Sequence, residues 1–403
     1  MSVDPPLFTR SFNIICLATF FFYLCFCLIL PVMPLYVTGM GGTSLQIGLM
    51  TGFFSFTAML LRPPAGWMID TRGCRVVLLA GMAIFLLASL GYIIARTVTT
   101  VLALRLFHGL GMGLFPTAAT VVVAELAPPA RRGEAMGWFG IANILGYIIG
   151  PAVGTSIASG AGFPMLFLVA GGVACLGLAC IWVLPQIGRV PSRTIRLPRP
   201  QDLFSRAAVL PSILLLSLFV PYGVMVAFVP IIATGRGLAN PGTFYTVYAL
   251  AVLLVRAKAG HVSDRRGRAA IIIPGLLAAG VAFAILGSTN DRMWLLAGAV
   301  IYGLGFGSVL PALMALVADR VHLEERGKAM GTFYVAWELG ITAGSTGAGL
   351  LLEVTDFPFT LLVSSLVPMA GALLAFRVRS PGMAQSPSGT DPKGGPPVSN
   401  TQR

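Results

Sequence analysis

The chain has 403 residues, of which 56% are hydrophobic and only 10% are charged, and its formal net charge at pH 7 is +13. An ordinary soluble domain carries about 25% charged residues, so this composition excludes a soluble globular protein. Apolar runs of about 20 residues can each cross a bilayer, and in lipid they must be helical because no water satisfies the backbone. The sequence therefore predicts an all-α polytopic membrane protein.

Twelve apolar runs follow one another along the chain, and the fourth and eighth are interrupted by internal charge. Each run is long enough to cross the hydrocarbon core as a helix. We therefore predict twelve transmembrane helices, near residues 12–36, 46–68, 76–95, 101–123, 136–158, 163–184, 208–232, 241–259, 269–288, 293–317, 329–351 and 357–377.

The basic residues between the spans lie almost entirely on one side of the predicted bundle. The loops on the other side carry only Arg96, Arg236 and Arg292. By the positive-inside rule, this asymmetry predicts a multi-pass protein of the inner (plasma) membrane with both termini in the cytoplasm. It also explains the basic excess without a nucleic-acid partner. The basic residues on the side of the termini are Arg10, Arg72, Arg75, Arg131, Arg132, Arg189, Arg193, Arg196, Arg199, Arg206, Arg265, Arg266, Arg268, Arg326 and Lys328.

A polar turn after the second span returns after the eighth. GWMIDTRGCR begins at Gly66 and GHVSDRRGRA begins at Gly260, which is 194 residues later. The same offset relates Arg62 to Arg256 and the glycine-rich stretches 109–113 and 303–307. A constant offset indicates two homologous halves of six spans, and parallel repeats of this kind are typical of transporters.

The repeat predicts four segments. Residues 1–186 form an N-terminal six-helix bundle and residues 207–378 form a C-terminal one. The basic, proline-containing segment 187–206 is a cytoplasmic linker. The tail 379–403 is rich in Ser, Pro and Gly, and we expect it to be disordered.

Two ionisable residues lie on one face of the fourth span. Arg105 is permanently charged, so it could bind an anionic substrate group or stabilise a carboxylate. His108 titrates near neutral pH and could relay a proton, although a packed, hydrogen-bonded histidine is the alternative. Charges inside spans are costly and usually functional, which makes both residues candidates for proton coupling.

Glu338 is the only acid that the predicted spans place near the bilayer centre. Protonation would neutralise this carboxyl group in a desolvated state, and an approaching cation would return the proton to water. The alternative is a structural carboxyl group bonded to a neighbouring helix. Arg62, Arg256 and Lys258 lie nearer to helix ends, where long basic side chains can reach the interface, and we expect structural roles for them.

The fifth span carries glycines at spacings near four residues, which line one helix face. Small residues on such a face let helices approach closely, and Pro151 removes a backbone hydrogen bond. We expect a hinge or a seal between the halves, with ordinary membrane packing as the alternative. The face comprises Gly137, Gly146, Gly150, Pro151 and Gly154.

These features, across residues 10–378, resemble the major facilitator superfamily. The two polar turns are similar to the family signature between helices 2 and 3 and its echo between helices 8 and 9. The first copy has Thr71 and Cys74 where basic residues are usual. The glycine face of the fifth span resembles the signature of the drug:proton antiporters, with Thr155 where a second glycine is usual. The stretch from Arg105 to Gly111 resembles the arginine motif of the same group, with His108 where glutamine is common.

The resemblance implies two pseudo-symmetric bundles and a latch that holds them together on the cytoplasmic side when the protein faces outward. Asp70 and Asp264 would be its acids, and the alternative is a solvated acid in a simple tight turn. Gly66, Gly73, Gly260 and Gly267 would shape the turns. The candidate partners are Arg72, Arg75 and Arg132 for Asp70, and Arg265, Arg268 and Arg326 for Asp264.

We therefore expect a monomeric, proton-coupled exporter of a small organic solute or drug. The alternatives are an exporter of an anionic or zwitterionic metabolite, such as a metallophore or amino-acid derivative with Arg105 as its anchor, a lipid-moving protein, and a non-transporting receptor. No catalytic triad, nucleotide loop or metal-ligand cluster is apparent, so we expect no enzyme activity, no metal and no cofactor besides the proton gradient. The cavity candidates are Asn143, Tyr147, Tyr222, Tyr245, Tyr334 and Trp337.

Overall fold

The computed structural model describes residues 7–128, 131–185, 205–321 and 325–378. These residues form helices and short connections, with no strand among them. The predicted tail 379–403 and the predicted linker, except for residues 205 and 206, lie outside the described residues.

Thirteen α-helices occur in the described ranges, and a short 3₁₀ turn at Arg206–Ala208 precedes the eighth. In chain order they are α1 (Arg10–Ile29), α2 (Val32–Gly39), α3 (Ser44–Arg72), α4 (Cys74–Ile94), α5 (Val98–Leu126), α6 (Arg132–Ala161), α7 (Phe163–Trp182), α8 (Val209–Gly235), α9 (Gly242–Arg266), α10 (Ala269–Ser288), α11 (Arg292–Arg320), α12 (Arg326–Leu352) and α13 (Phe357–Ala375).

The first predicted span is one membrane crossing made of two helices. The helical backbone is interrupted at Leu30 and Pro31, because proline cannot donate the backbone hydrogen bond that a continuous helix needs. Together α1 and α2 form an apolar segment of 30 residues. The other eleven helices match the predicted spans to within several residues at each end.

Ten segments of the described chain are long and apolar enough to cross a membrane by length and composition. The other two crossings are α9 and α12, which carry Arg256, Lys258 and Glu338 and are therefore less apolar. Both pack among the other ten, α9 against α11 and α6, and α12 against α8 and α3. The described residues thus form twelve membrane crossings, and α9 and α12 carry Arg256, Lys258 and Glu338.

The helix pairs of the first half recur in the second. In the first half α1 packs on α6 and α7, α3 and α4 pack on α5, and α4 packs on α7. The corresponding pairs in the second half are α8 with α12 and α13, α9 and α10 with α11, and α10 with α13. Two pseudo-symmetric six-helix bundles result, as the constant offset in the sequence predicts.

Two glycine turns join consecutive helices at equivalent places in the halves. Gly73 separates α3 from α4 with φ of 84°, and Gly267 lies between α9 and α10 with φ of 87°. A positive φ of this size is strained for a residue with a Cβ atom. Glycine therefore permits these abrupt reversals in both copies of the motif.

The bundle has two ends, which we call the terminal face and the far face. The terminal face is the end at which α1 begins and α13 ends, and it carries both polar glycine turns. The far face carries the connections from α2 to α3 and from α8 to α9.

The two halves touch in the far half of the bundle. The Leu45 amide donates to Glu353 Oε1 at 2.9 Å, and the Thr342 hydroxyl donates to the Gly52 carbonyl at 3.3 Å. On the symmetric side, the Thr246 hydroxyl donates to the Ile148 carbonyl at 2.8 Å. Small residues make this approach possible, since a Cβ on Gly48 would overlap the backbone of α12.

Asn240 links the halves at the start of α9. Its side-chain amide donates to the Ala152 carbonyl at 3.0 Å and to the Ser156 hydroxyl at 2.9 Å, both on α6. The Thr155 hydroxyl donates to the Asn240 side-chain oxygen. Thr155, which replaces a glycine of the resembled signature, therefore contributes to closure of the far face.

Towards the terminal face the halves are separated. Ile141 lies two turns before Ile148 on the same face of α6, and it is 42% exposed. Val335 has the equivalent place on α12, and it is 37% exposed. A Cβ on Gly137 or on Gly331 would meet nothing within 4 Å. Apart from one buried ion pair, the hydrogen bonds between the halves in the described chain lie in the far half, which indicates a structure closed at the far face and open at the terminal face.

Candidate functional site

A buried ion pair joins the two halves deep in the bundle. Arg62 of α3 donates from Nη2 to Glu338 Oε1 of α12 at 2.6 Å. Glu338 is 3% exposed. The pair lies on the α3–α12 interface, between the closed far half and the open terminal half. Glu338 is one of the proton-coupling candidates of the sequence. For Arg62 the sequence predicts only a structural role, and the structure adds an ion pair with this carboxylate.

Aromatic rings surround the ion pair. The Arg62 guanidinium carbon lies 5.2 Å from the centroid of the Tyr334 ring, which gives a cation–π contact. Tyr23 of α1 interacts electrostatically with Arg62, and Tyr222 of α8 interacts with Glu338. The pair is therefore in contact with both bundles, and the Nε atom of Arg62 has no hydrogen-bond partner among the described residues.

Tyrosine and tryptophan rings continue from the ion pair into the centre. The Tyr23 and Tyr147 ring centroids lie 5.7 Å apart in the first half. In the second half the Trp337 ring lies 4.2 Å from that of Phe219. The hydroxyls of Tyr147 and Tyr222, from opposite halves, are close enough to interact. The centre thus offers stacking surfaces together with hydroxyl groups.

The predicted cavity residues differ in how they meet this centre. Tyr147, Tyr222, Tyr334 and Trp337 belong to it, and Asn143 lies beside Tyr23. Tyr245 is an electrostatic neighbour of Tyr222, but its hydroxyl donates to the Met225 carbonyl at 2.9 Å inside the second bundle. The polar group of Tyr245 thus has a partner in its own half, and its role in the cavity stays a prediction.

Arg105 and His108 lie together on α5, away from the ion pair and enclosed in the first half. Arg105 is 4% exposed, and its guanidinium carbon lies 5.6 Å from the Phe54 ring and 5.7 Å from the Tyr92 ring. His108 is fully buried, and its Nδ1 lies 3.1 Å from the Tyr92 hydroxyl. Arg105 therefore has aromatic neighbours but no carboxylate in the described part of the chain.

The polar turns at the terminal face make contacts within each half. Arg268 bonds to Asp264, to the Ser263 hydroxyl at 3.1 Å and, through Nε, to Asp319 at 2.8 Å. Pairing with Asp319 and Asp264 raises the pKa of Arg268. Asp319 lies on α11 and was missed in the sequence, because its closeness to Arg268 depends on helix packing. Arg265 forms no ion pair in the described ranges, and the side chain of Arg326 lies outside them.

The first copy of the turn is organised differently. Within the described residues, Asp70 forms no ion pair with Arg72, Arg75 or Arg132. Arg75 instead donates to the Trp182 carbonyl at the end of α7 and stacks on its ring at 5.7 Å. The predicted latch belongs to the conformation in which the terminal face is closed, so the partners of Asp70 stay a prediction.

The glycines of α6 form a tight contact with α1. A Cβ on Gly146 would lie 2.8 Å from the Tyr23 backbone, and one on Gly150 would lie 2.5 Å from Cys27 Cβ. A Cβ on Gly154 would overlap the Leu28 carbonyl oxygen. The equivalent glycines 340 and 344 approach α8 in the same way. Gly146, Gly150 and Gly154 thus pack within the first half, while the Pro151 carbonyl approaches Gly242 of the other half.

Comparisons with known proteins agree with this architecture. The profile of the Major Facilitator Superfamily matches residues 15–321 and 241–401. A multi-drug resistance efflux pump PmrA homolog of Lactococcus lactis is 21% identical over 382 residues, which cover 91% of this chain and 94% of that protein. The quinolone resistance protein NorA of Staphylococcus aureus is 24% identical over 182 residues, 45% of each chain.

Solved structures share the fold at low sequence identity. A crystal structure of the nucleoside transporter NupG has a TM-score of 0.79 at 13% identity, and the match covers 91% of this chain and 99% of that one. The human organic anion transporter MFSD10 has a TM-score of 0.69 at 21% identity, with 92% and 100% covered. These structures are similar in architecture, but at this sequence identity the similarity does not indicate a substrate for this chain.

Proposed function

The chain belongs to the Major Facilitator Superfamily of membrane transporters, and from this premise we propose that it is a proton-coupled exporter of a small organic solute. Transport proceeds by alternating access, in which the two bundles rock about the central site. The proton gradient supplies the energy, and no cofactor takes part. The observation that carries this proposal is the ion pair between Arg62 and Glu338 across the two halves.

The ion pair couples protonation to the position of the bundles. In the conformation open at the terminal face, a charged Glu338 holds α12 to α3 through Arg62. Rocking towards the other conformation separates the far halves and removes the carboxylate from its cation. A buried carboxylate that has lost its partner binds a proton more readily. Proton uptake therefore belongs to the far-face-open state, and proton release belongs to the state described here.

The direction of transport follows from where the terminal face lies. The excess of Arg and Lys at this face supports a cytoplasmic location for both termini, in a plasma membrane. In that orientation, protons enter from the far side and the solute leaves towards it. The fifth-span glycine signature in the first half and the relatives named as an efflux pump and a quinolone resistance protein also support export.

The proposed solute site is the aromatic centre beside the ion pair. Tyr147, Tyr222 and Trp337 offer flat surfaces for an organic body, and hydroxyl groups supply hydrogen bonds. A drug-like solute fits this chemistry. A metallophore or another anionic or zwitterionic metabolite is favoured by the unpaired Arg105, and a lipid-moving protein or a receptor has no comparable observation in its support.

Proton-driven flux in proteoliposomes tests the proposal. A screen of cationic, neutral and anionic solutes first identifies one whose addition moves protons across the membrane under an imposed pH gradient. Glu338→Gln is then expected to bind this solute but to lose its proton-driven accumulation. Glu134→Gln is the control, since Glu134 pairs with Arg131 in an exposed contact on α6. Unchanged proton-to-solute coupling in Glu338→Gln would overturn the role of this carboxylate.

A further inference from the structure

The internal repeat gives Arg62 a counterpart in the second half. Arg256 lies 194 residues later, on α9, which is the equivalent of α3. Arg62 comes ten residues before the end of its helix at Arg72, and Arg256 comes ten residues before the end at Arg266. At the rise of an α-helix, both lie about 15 Å from the terminal end of the helix. The two arginines thus occupy equivalent depths in the bundle.

Only one of the two arginines has a carboxylate partner. Arg62 pairs with Glu338, and the residue 194 positions before Glu338 is Ile144. The symmetric partner of Arg256 is therefore an apolar residue. Among the described residues, Arg256 makes no ion pair and no side-chain hydrogen bond. The repeat has kept the cation in both halves and the anion in only one.

Arg256 faces the interior and not the lipid. It follows Tyr245, Ala249 and Val252 at spacings of four, three and four residues, which keeps these side chains on one helix face. Tyr245 and Ala249 are buried against the bundle, whereas Leu254, on another face, is 73% exposed. Tyr248 is an electrostatic neighbour of Arg256. Arg256 is nevertheless exposed as a residue, while its charged group is partly desolvated, as expected at the edge of the region where the halves separate.

The balance of charge in the interior is positive. Glu338 and Arg62 compensate each other, which leaves Arg105 and Arg256 without a carboxylate in the described chain. An uncompensated charge at such depth is costly, and a bound anion offsets that cost. Arg105 is enclosed in this conformation, whereas Arg256 is an exposed residue about 15 Å from the terminal end of its helix. A solute that enters from the terminal face therefore meets Arg256 first.

We propose that Arg256 binds the anionic group, a carboxylate or a similar oxyanion, of the transported organic solute. The guanidinium is planar and can hold such a group through two parallel hydrogen bonds. The apolar or aromatic body of the solute then extends towards the ring surfaces of Tyr147 and Tyr222. This inference rests on the proposed function, and it replaces a general organic solute with an organic acid.

Binding measurements on the purified protein test the site independently of transport. The probes are 1-naphthoate, 1-naphthamide and 1-naphthylmethylammonium, which share one aromatic body and differ in charge. Thermal unfolding is followed with each probe for the natural protein and for Arg256→Gln, Arg256→Lys and Lys258→Gln. Lys258→Gln is the matched control, since it removes one positive charge from another face of the same helix.

The acid is expected to raise the unfolding temperature of the natural protein more than the amide or the amine. Arg256→Gln should raise the acid concentration needed for half-saturation by about tenfold or more, which corresponds to the loss of one charged hydrogen bond. Arg256→Lys should keep part of the binding, and Lys258→Gln should keep all of it. Stabilisation by the amine alone, no stabilisation by the acid, or an undiminished effect of the acid on Arg256→Gln overturns the proposal.

Two further measurements distinguish an organic acid from an anionic lipid headgroup and acid binding from proton coupling. In the first, phosphatidylglycerol is added without the acid. If this lipid raises the unfolding temperature in a way that depends on Arg256, and the acid does not, the site binds a lipid headgroup and the proposal is overturned. Glu338→Gln is measured as well, and it should keep acid binding while it loses proton-driven flux. Acid binding without proton-coupled flux in the natural protein would contradict the proposed function and leave the Arg256 site in place.

Discussion

At the scale of single residues, the protein has few charges in the membrane, and only some of them have a partner of opposite charge in the described chain. Arg62 and Glu338 form a buried ion pair that spans two bundles. Such a pair contributes little net stability, because desolvation offsets most of the attraction, but loss of one partner strands a buried charge. The pair is thus suited to act as a switch. One proton on Glu338 removes the charge that compensates Arg62 and leaves a buried cation without a partner.

Glu338→Ala should lower the free energy of unfolding by about 3–5 kcal/mol, because it leaves Arg62 buried without a counter-charge. The double variant Arg62→Met with Glu338→Leu should regain most of this loss. Thermal unfolding of Arg62→Met, of Glu338→Leu and of the double variant measures the coupling energy of the pair. Additive losses would contradict an ion pair that stabilises through mutual compensation.

Arg105 presents the opposite case, a buried cation between Phe54 and Tyr92 without a carboxylate. Arg105→Met removes the charge and keeps most of the volume. It should raise stability by about 1–4 kcal/mol and abolish transport, because the charge is kept for function at a cost in stability. Unfolding temperature and proteoliposome flux are measured together. A variant that loses stability and keeps its flux would show that Arg105 has a structural role.

At the scale of helices, small residues set which pairs pack closely. Gly146, Gly150 and Gly154 bring α6 against α1, and the equivalent glycines bring α12 against α8. On α3, Gly48 and Gly52 permit the contact with α12 that closes the far face. The same device therefore serves rigid packing within a half and a reversible contact between halves.

Gly150→Leu should abolish transport while folded protein remains in the membrane, because its side chain would collide with Cys27 and displace α1. Gly160→Leu is the control on the same helix, since a Cβ there meets nothing within 4 Å. Flux and size-exclusion profiles are compared for the two variants. Normal transport by Gly150→Leu would contradict the role of this glycine face.

At the scale of the whole molecule, the structure describes one end of a transport cycle. Hydrogen bonds between the halves in the described chain lie in the far half, apart from the ion pair. The terminal-face networks of Arg268 and Arg75 stay within their own halves. A latch between the halves would have to form when this face closes.

Site-directed labelling checks this arrangement. With the native cysteines replaced, Val335→Cys should react with an impermeant maleimide applied at the terminal face, because Val335 lines the opening. Thr346→Cys should be protected, since the Thr346 side chain packs against Gly52 in the closed far half. With a saturating solute and a reversed pH gradient, Val335→Cys should become protected and Thr346→Cys should become reactive. Equal labelling of both positions in every condition would contradict alternating access.

The sequence by itself determined the membrane class, the twelve spans, the two-fold repeat and the family. These properties depend on the length of apolar runs and on a constant offset, which are local or periodic along the chain. It also singled out Glu338, Arg105 and His108, because ionisable residues in long apolar runs are conspicuous. The break of the first span at Pro31 was missed because the apolar run continues through it.

Only the tertiary structure decided how these residues are paired. Glu338 and Arg62 lie 276 positions apart, and no pattern along the chain joins them. The same holds for Asp319 with Arg268, for Asn240 with α6, and for Tyr245, whose hydroxyl is satisfied in the core. Pairing depends on which helix faces meet and on which end of the bundle is closed. Both are set by packing between segments that are distant in the chain.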